Sequence, residues 1–170
     1  MGLSMNIVEL VIVFIVSFLP IAEVRGGIPL AFYYFHNDNL MLAIGVAVSA
    51  IGNLLIAPFV LFVLKYIDIF IRSSKFVPEK IRKLYIWVLN YVKEKSRKLK
   101  KYDIPALATF VAIPLPVTGA WIGSLIVFLI GMDRKRALIA IELGVLGATT
   151  IVTLTCLLGL TILKKIFLLP

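Results

Sequence analysis

The residues best equipped for chemistry stand in the stretch Glu23-Val24-Arg25-Gly26-Gly27-Ile28-Pro29. Between Ile7 and Phe35 the only other charged residue is Glu9. An ionised group at membrane depth costs about 3 kcal/mol even on lenient insertion scales, so a chain that places two there needs a reason. A carboxylate in a cavity of low dielectric can exchange a proton, which makes Glu23 a candidate coupling group. Arg25 can pair with it or hold an anionic substrate. Backbone amides freed at Gly26 and Gly27 can cradle a phosphate. The plain alternative is a structural ion pair or helix-end cap.

A second interruption reads Pro114-Leu115-Pro116-Val117-Thr118-Gly119-Ala120-Trp121. It carries no charge, and it offers a hydroxyl at Thr118 and an amide at Gly119. Asn53 and Glu142 are isolated polar residues in long apolar segments. The candidate solute- or ion-binding set is therefore Glu23, Arg25, Gly26, Gly27, Asn53, Thr118, Gly119 and Glu142. Pro20, Pro29, Pro114 and Pro116 are expected to shape the two tips. The sequence holds no HExxH, nucleophile elbow, Cys/His metal cluster or P-loop. No enzyme, metal site or cofactor is expected. Cys156 is the sole cysteine and reads as a small buried hydrophobe.

The elements that must position these groups are apolar helices. The chain has 170 residues, 61% of them hydrophobic and 16% charged, with a mean hydropathy of +1.05. That composition lies outside soluble domains and marks an integral membrane protein. The apolar limbs flanking the first interruption, within 5–36, and those of 104–131 are short for a ~30 Å hydrocarbon core. By contrast, 40–64 and 137–163 are long enough to cross. Small residues at Gly45, Ser49 and Gly52, and at Gly144 and Gly147, suit close helix contact, and a homodimer packed on these faces is one expectation. The first segment lacks the basic start and small-residue cleavage pattern of a signal peptide.

The net charge of +9 is concentrated in Lys65 to Lys101. Pro78-Glu79 predicts a helix start. Ile81, Leu84, Tyr85, Val88, Tyr91 and Val92 then follow a three/four spacing. This stretch reads as an amphipathic helix lying on an anionic leaflet, or as an ordinary solvated linker. Nucleic acid is not the expected partner of a basic block lodged between membrane segments.

The two ends of the chain share one plan: apolar limb, Pro/Gly break, second limb, polar turn, long helix. The expected fold is all-α and integral to the membrane. Residues 1–65 and 102–170 form two inverted repeats, each a re-entrant helical hairpin plus a transmembrane helix. The basic linker 66–101 joins them on the cytoplasmic side. A topology in which all four apolar segments cross violates the positive-inside rule only slightly more, so it stays open.

The paired motifs Glu23 to Pro29 and Pro114 to Trp121 resemble the small multidrug export protein family of archaea and bacteria, a distant relative of the DedA (VTT-domain) superfamily. The resemblance covers about Phe18 to Gly159. It implies two facing re-entrant hairpins in a prokaryotic plasma membrane and transport of some kind. Two functions follow from it. One is a secondary exporter, proton-coupled through Glu23, for an unknown small solute. The other is a lipid scramblase or polyprenyl-phosphate carrier of DedA type, with Arg25 and the Gly26 and Gly27 amides on the phosphate. DedA proteins carry arginines around the second hairpin, and this chain has none between Pro114 and Gly131.

Overall fold

The computed structural model describes residues 2–96, 103–115 and 118–167, with side chains over 6–95, 104–115 and 118–159. Among the described residues the fold is entirely helical: α1 Gly2–Phe18, α2 Glu23–Phe35, α3 Asn39–Leu54, α4 Ile56–Ser73, α5 Glu79–Ser96, α6 Asp103–Ala112, α7 Ala120–Ile130 and α8 Arg134–Phe167. Helices α1, α2 and α3 pack mutually. Helix α6 lies along α8, α7 bridges α4 and α8, and α2 and α3 reach α8 from the other half.

The glycines explain how closely these helices approach. A Cβ on Gly52 would stand 3.0 Å from the Phe14 carbonyl oxygen on α1. One on Gly45 would stand 3.0 Å from Ala31 Cβ on α2. On α8, one at Gly144 would meet Val111 Cβ at 2.5 Å, and one at Gly147 would meet Ala112 Cβ at 2.9 Å. The small-residue faces expected to serve a dimer are thus spent inside the chain, and a second copy would need another surface.

Among the described residues, two helical stretches are long and apolar enough to cross a membrane, Asn39–Ser73 and Arg134–Gly159. The first is α3 and α4 joined at Leu55, and it continues past Lys65 rather than ending near residue 64. Pro58 explains the joint: it has no N–H for the Leu54 carbonyl, and its ring crowds that turn. Large apolar side chains stand exposed along one flank of α1 (Ile7, Val11, Ile15), of α4 (Phe59, Phe62, Tyr66) and of α8 (Leu143, Leu146, Leu154, Leu157). Apolar patches of that extent need lipid rather than water around them. The chain is a membrane protein.

Inside, Ile56, Val60, Val111, Val127, Ile141 and Val145 join α4, α6, α7 and α8 in one core. A second core sets Val24, Ile28 and Phe32 of α2 against Ala148 and Val152 of α8. Helix α8 therefore holds both halves of the molecule. Helix α5 is helical where the spacing predicts it. It docks through buried Leu89 and through the Tyr85 hydroxyl, which donates to Asp68 Oδ1 of α4 at 2.9 Å.

Because the α6–α8 contact leaves no room at Gly144, Gly144→Ala should destabilise the protein by about 1–3 kcal/mol through overpacking. Gly159 has nothing within 4 Å of an added Cβ, so Gly159→Ala should be neutral or stabilise by about 0.5–1 kcal/mol. Thermal unfolding of both variants in the same detergent checks the pair.

Candidate functional site

The first break occupies residues 19–22. It is shorter than the sequence predicts and lies earlier in the chain. Arg25, Gly26, Gly27 and Pro29 are all within α2. The Gly26 amide donates to the Ala22 carbonyl at 3.0 Å, so it is not free to bind a phosphate. Gly27 serves packing instead: a Cβ there would overlap Ser17 Oγ and fall 2.6 Å from Ser49 Oγ. The Ser17 hydroxyl has the Val13 carbonyl at 2.7 Å and Ser49 Oγ at 2.8 Å. Tertiary contact with two small polar residues thus keeps a Gly-Gly pair helical despite its poor propensity.

Glu23 opens α2 with φ 50°, a left-handed conformation that costs a non-glycine residue about 1–2 kcal/mol. That backbone turns the side chain inward, and Glu23 is 2% exposed. The carboxylate is not left alone. Arg25 Nη2 donates to Glu23 Oε2 at 2.9 Å. The Trp121 amide, in the first turn of α7, points at Oε1 at 3.4 Å. A helix N-terminus carries partial positive charge, so α7 favours the ionised carboxylate.

The second break, Ile113 to Gly119, supplies acceptors. Arg25 Nη2 also donates to the Thr118 carbonyl at 2.8 Å, and Arg25 Nη1 donates to the Leu115 carbonyl. One guanidinium therefore ties the first half of the chain to the second through two carbonyl oxygens, while it also pairs with Glu23 beside it. The Thr118 hydroxyl has the Ile113 and Leu115 carbonyls each at 2.7 Å; it shares the Leu115 carbonyl with Arg25 and so holds the break in shape. Gly119 has φ 105°, and a Cβ there would meet the Glu23 carboxylate at 2.0 Å. Only glycine fits, for both reasons.

Asn53 of α3 stands beside the Glu23 carboxylate and is 1% exposed. Yet neither polar atom of its side chain completes a hydrogen bond of ordinary geometry among the described residues. A buried amide without partners is costly, which marks the place where a further polar group would be welcome.

The structure thus gathers Glu23, Arg25, Asn53, Thr118 and Gly119. Pro20 and Pro114 lie in the two breaks, Pro29 lies inside α2, and Pro116 falls outside the described residues. Glu142 is half-buried on α8, with no hydrogen bond or ion pair to the cluster. Among the described residues there is no group of acids, histidines and cysteines that could hold a metal.

Sequence reasoning missed Trp121 as a site residue, along with the Leu115 carbonyl. The Trp121 indole Nε1 donates to the Phe18 carbonyl at the end of α1 at 3.0 Å. Its ring meets Phe18 and Phe59 edge-on, at centroid distances of 6.0 and 6.2 Å. Beside it, Pro20, Phe59, Val63, Trp121 and Leu125 line an apolar cavity of about 290 Å³. The available signal was an aromatic residue two places after a helix-starting glycine.

A family model described as "Putative small multi-drug export protein" matches residues 23–151. The chain belongs to this family. The match begins at Glu23, directly after the first break, and runs through the second. Comparison with curated proteins and with solved structures found no match. The family's description is one of export across membranes, not of catalysis.

The site's geometry makes a stability prediction. Arg25→Met should leave Glu23 buried without its cation and cost about 3–5 kcal/mol near neutral pH. Adding Glu23→Gln removes the stranded charge and should recover most of that loss. Thermal unfolding of the two single variants and the double variant measures the coupling.

Proposed function

We propose that this protein is a small secondary exporter in which protonation of Glu23 controls the contact between the two breaks. The observation that carries the reading is the Arg25 guanidinium, shared between the Glu23 carboxylate and the Leu115 and Thr118 carbonyls. With Glu23 ionised, the acid, the base and the second break form one closed cluster. With Glu23 protonated, Arg25 loses its counter-charge and Trp121 loses the anion its amide faces. The Trp121 amide then faces a neutral acid, and a neutral hydrogen bond is worth roughly half a charge-assisted one; Arg25 still donates to the Leu115 and Thr118 carbonyls, but without its counter-charge. Such a change biases a two-state element by a few kcal/mol, enough to shift its population decisively.

The limb lengths fit a hairpin arrangement. At 13, 10 and 11 residues, α2, α6 and α7 extend about 15–20 Å at 1.5 Å per residue. A ~30 Å hydrocarbon core is longer than any of them. We read α1–α2 and α6–α7 as re-entrant pairs of inverted repeats, meeting tip to tip at the Glu23 cluster in a prokaryotic plasma membrane. The basic helix α5 is then cytoplasmic. Irregular backbone at depth is tolerable there because each break is buried against the other.

The solute class follows from the neighbouring cavity. Walls of Trp121, Phe59, Val63 and Leu125 suit an apolar or amphipathic organic molecule. The family description agrees with that chemistry. The lipid-phosphate reading draws less support at this site. The Gly26 amide is already bonded, and Arg25 is committed to three protein oxygens.

In liposomes containing the purified protein and an imposed proton gradient, efflux of an amphipathic dye should depend on the gradient. Glu23→Gln should cut that coupled flux by roughly tenfold or more, as loss of an intramembrane relay carboxylate does. Undiminished coupling in Glu23→Gln would remove Glu23 from the mechanism. Gradient-independent flipping of labelled phospholipid at wild-type rate in the same variant, without dye efflux, would favour the scramblase reading instead.

A further inference from the structure

A second cavity of about 290 Å³ lies at the opposite end of α7 from Glu23, where α4, α5 and the α7–α8 turn meet. Three cations from three separate elements line it: Lys65 of α4, Lys93 of α5 and Arg134 at the start of α8. Their convergence is built. Gly131 takes a left-handed φ of 69° to close α7, and a Cβ there would stand 2.8 Å from Lys93 Cε. The stem of Lys93 therefore lies across the turn. Buried Leu89 anchors α5 one turn earlier.

The one acid on the lining, Asp68, already has two donors. Its Oδ1 accepts from Arg72 Nε at 2.7 Å and from the Tyr85 hydroxyl at 2.9 Å. Burial first, and then the hydrogen bond to that carboxylate, push the Tyr85 phenol up to about 12, so Tyr85 stays a neutral donor. The cavity mouth is net positive, and like charges gathered at short range favour an anion between them. The first amides of α8 take no part, since those of Lys135 and Arg136 donate to Asp133 Oδ1 at 3.1 and 3.2 Å. The floor has the opposite character, with Leu61, Val127 and Phe128. Lys65 follows the apolar run Ile56 to Leu64 directly, which places the mouth where hydrocarbon gives way to headgroups.

We propose that this cavity binds the phosphate-bearing headgroup of an anionic phospholipid. The phosphate sits among Lys65, Lys93 and Arg134, and the glycerol and first acyl carbons rest on Leu61 and Phe128. The site differs from a diffuse attraction between a basic helix and an anionic leaflet, because it needs Arg134, which is outside that helix. It is also independent of proton coupling at Glu23. A lipid bound there ties α5 to the α7–α8 turn.

The test titrates short-chain phosphatidylglycerol into the purified full-length protein in neutral detergent, with the melting temperature as readout. Binding should saturate, and phosphatidylcholine of the same chain length should raise the melting temperature little. Lys65→Gln with Arg134→Gln should weaken binding by roughly tenfold or more, since each cation near an anionic lipid contributes appreciably. Lys80→Gln with Lys83→Gln removes equal charge from the exposed face of α5 and should leave binding unchanged. Equal loss in that control overturns the discrete site in favour of diffuse attraction. Equal stabilisation by inorganic phosphate overturns the amphiphile in favour of a free anion. If the double variant does not purify, Lys65→Gln and Arg134→Gln are read singly, and wild-type binding in both overturns the proposal.

Discussion

The ion pair between Glu23 and Arg25 is the constraint on which this fold turns. A buried carboxylate and guanidinium are stable together only when geometry satisfies the remaining donors and acceptors. Glu23 Oε2 has Arg25, and Oε1 has the α7 amide of Trp121. Two further guanidinium hydrogens go to carbonyls of the second break. The Leu115 carbonyl also accepts from the Thr118 hydroxyl, so Arg25 adds to a bond that the second break already makes within itself. The two breaks therefore meet through one guanidinium and one carboxylate. The rest of the packing brings them into register: α8 seated on α6 through Gly144 and Gly147, α2 seated on α8 through Val24 and Val152, and α2 seated on α1 and α3 through Gly27.

Much of this was legible in the sequence because charge and helix-breaking residues are rare in an apolar chain. The pairing of the two interruptions, the long helices around Ser49 and Val145, and the helix at Glu79 all follow from pattern. What pattern missed has physical causes. Gly26, Gly27 and Pro29 look like a tip by propensity, yet close packing on Ser17 and Ser49 selects helix there. The actual break at residues 19–22 contains a single breaker, Pro20. The first long helix continues past Lys65 because charge ends a membrane span without ending a helix, and Arg72 and Asp68 pair within that extension. Thr118 contributes its carbonyl rather than its hydroxyl, a choice invisible to residue type. Glu142 joins the candidate set as an isolated polar residue of an apolar segment, and residue type alone does not say which face of α8 it occupies.

Asn53 shows where the closed cluster is incomplete. It is as buried as Glu23 and its neighbour, yet its amide has no hydrogen-bond partner among the described residues. An amide can donate to a carboxylate or accept from a carboxylic acid, so it can serve either protonation state of Glu23. A side chain with both capacities, placed against the Glu23 carboxyl, has a use if that carboxyl changes its proton.

The asymmetry between the two breaks then has a simple electrostatic reading. The first carries a full positive and a full negative charge two residues apart. The second carries none, but it presents carbonyl oxygens on one side of Gly119 and the N-terminal amides of α7 on the other. A chain reversal that ends in a helix start is itself a dipole, with acceptors before the turn and donors after it. Arg25 meets the acceptors and Glu23 the donors. The absence of arginine from Pro114 to Gly131 is thus no deficiency in this chain. The second break receives an ion pair, and a further cation there would compete with Arg25 for Glu23.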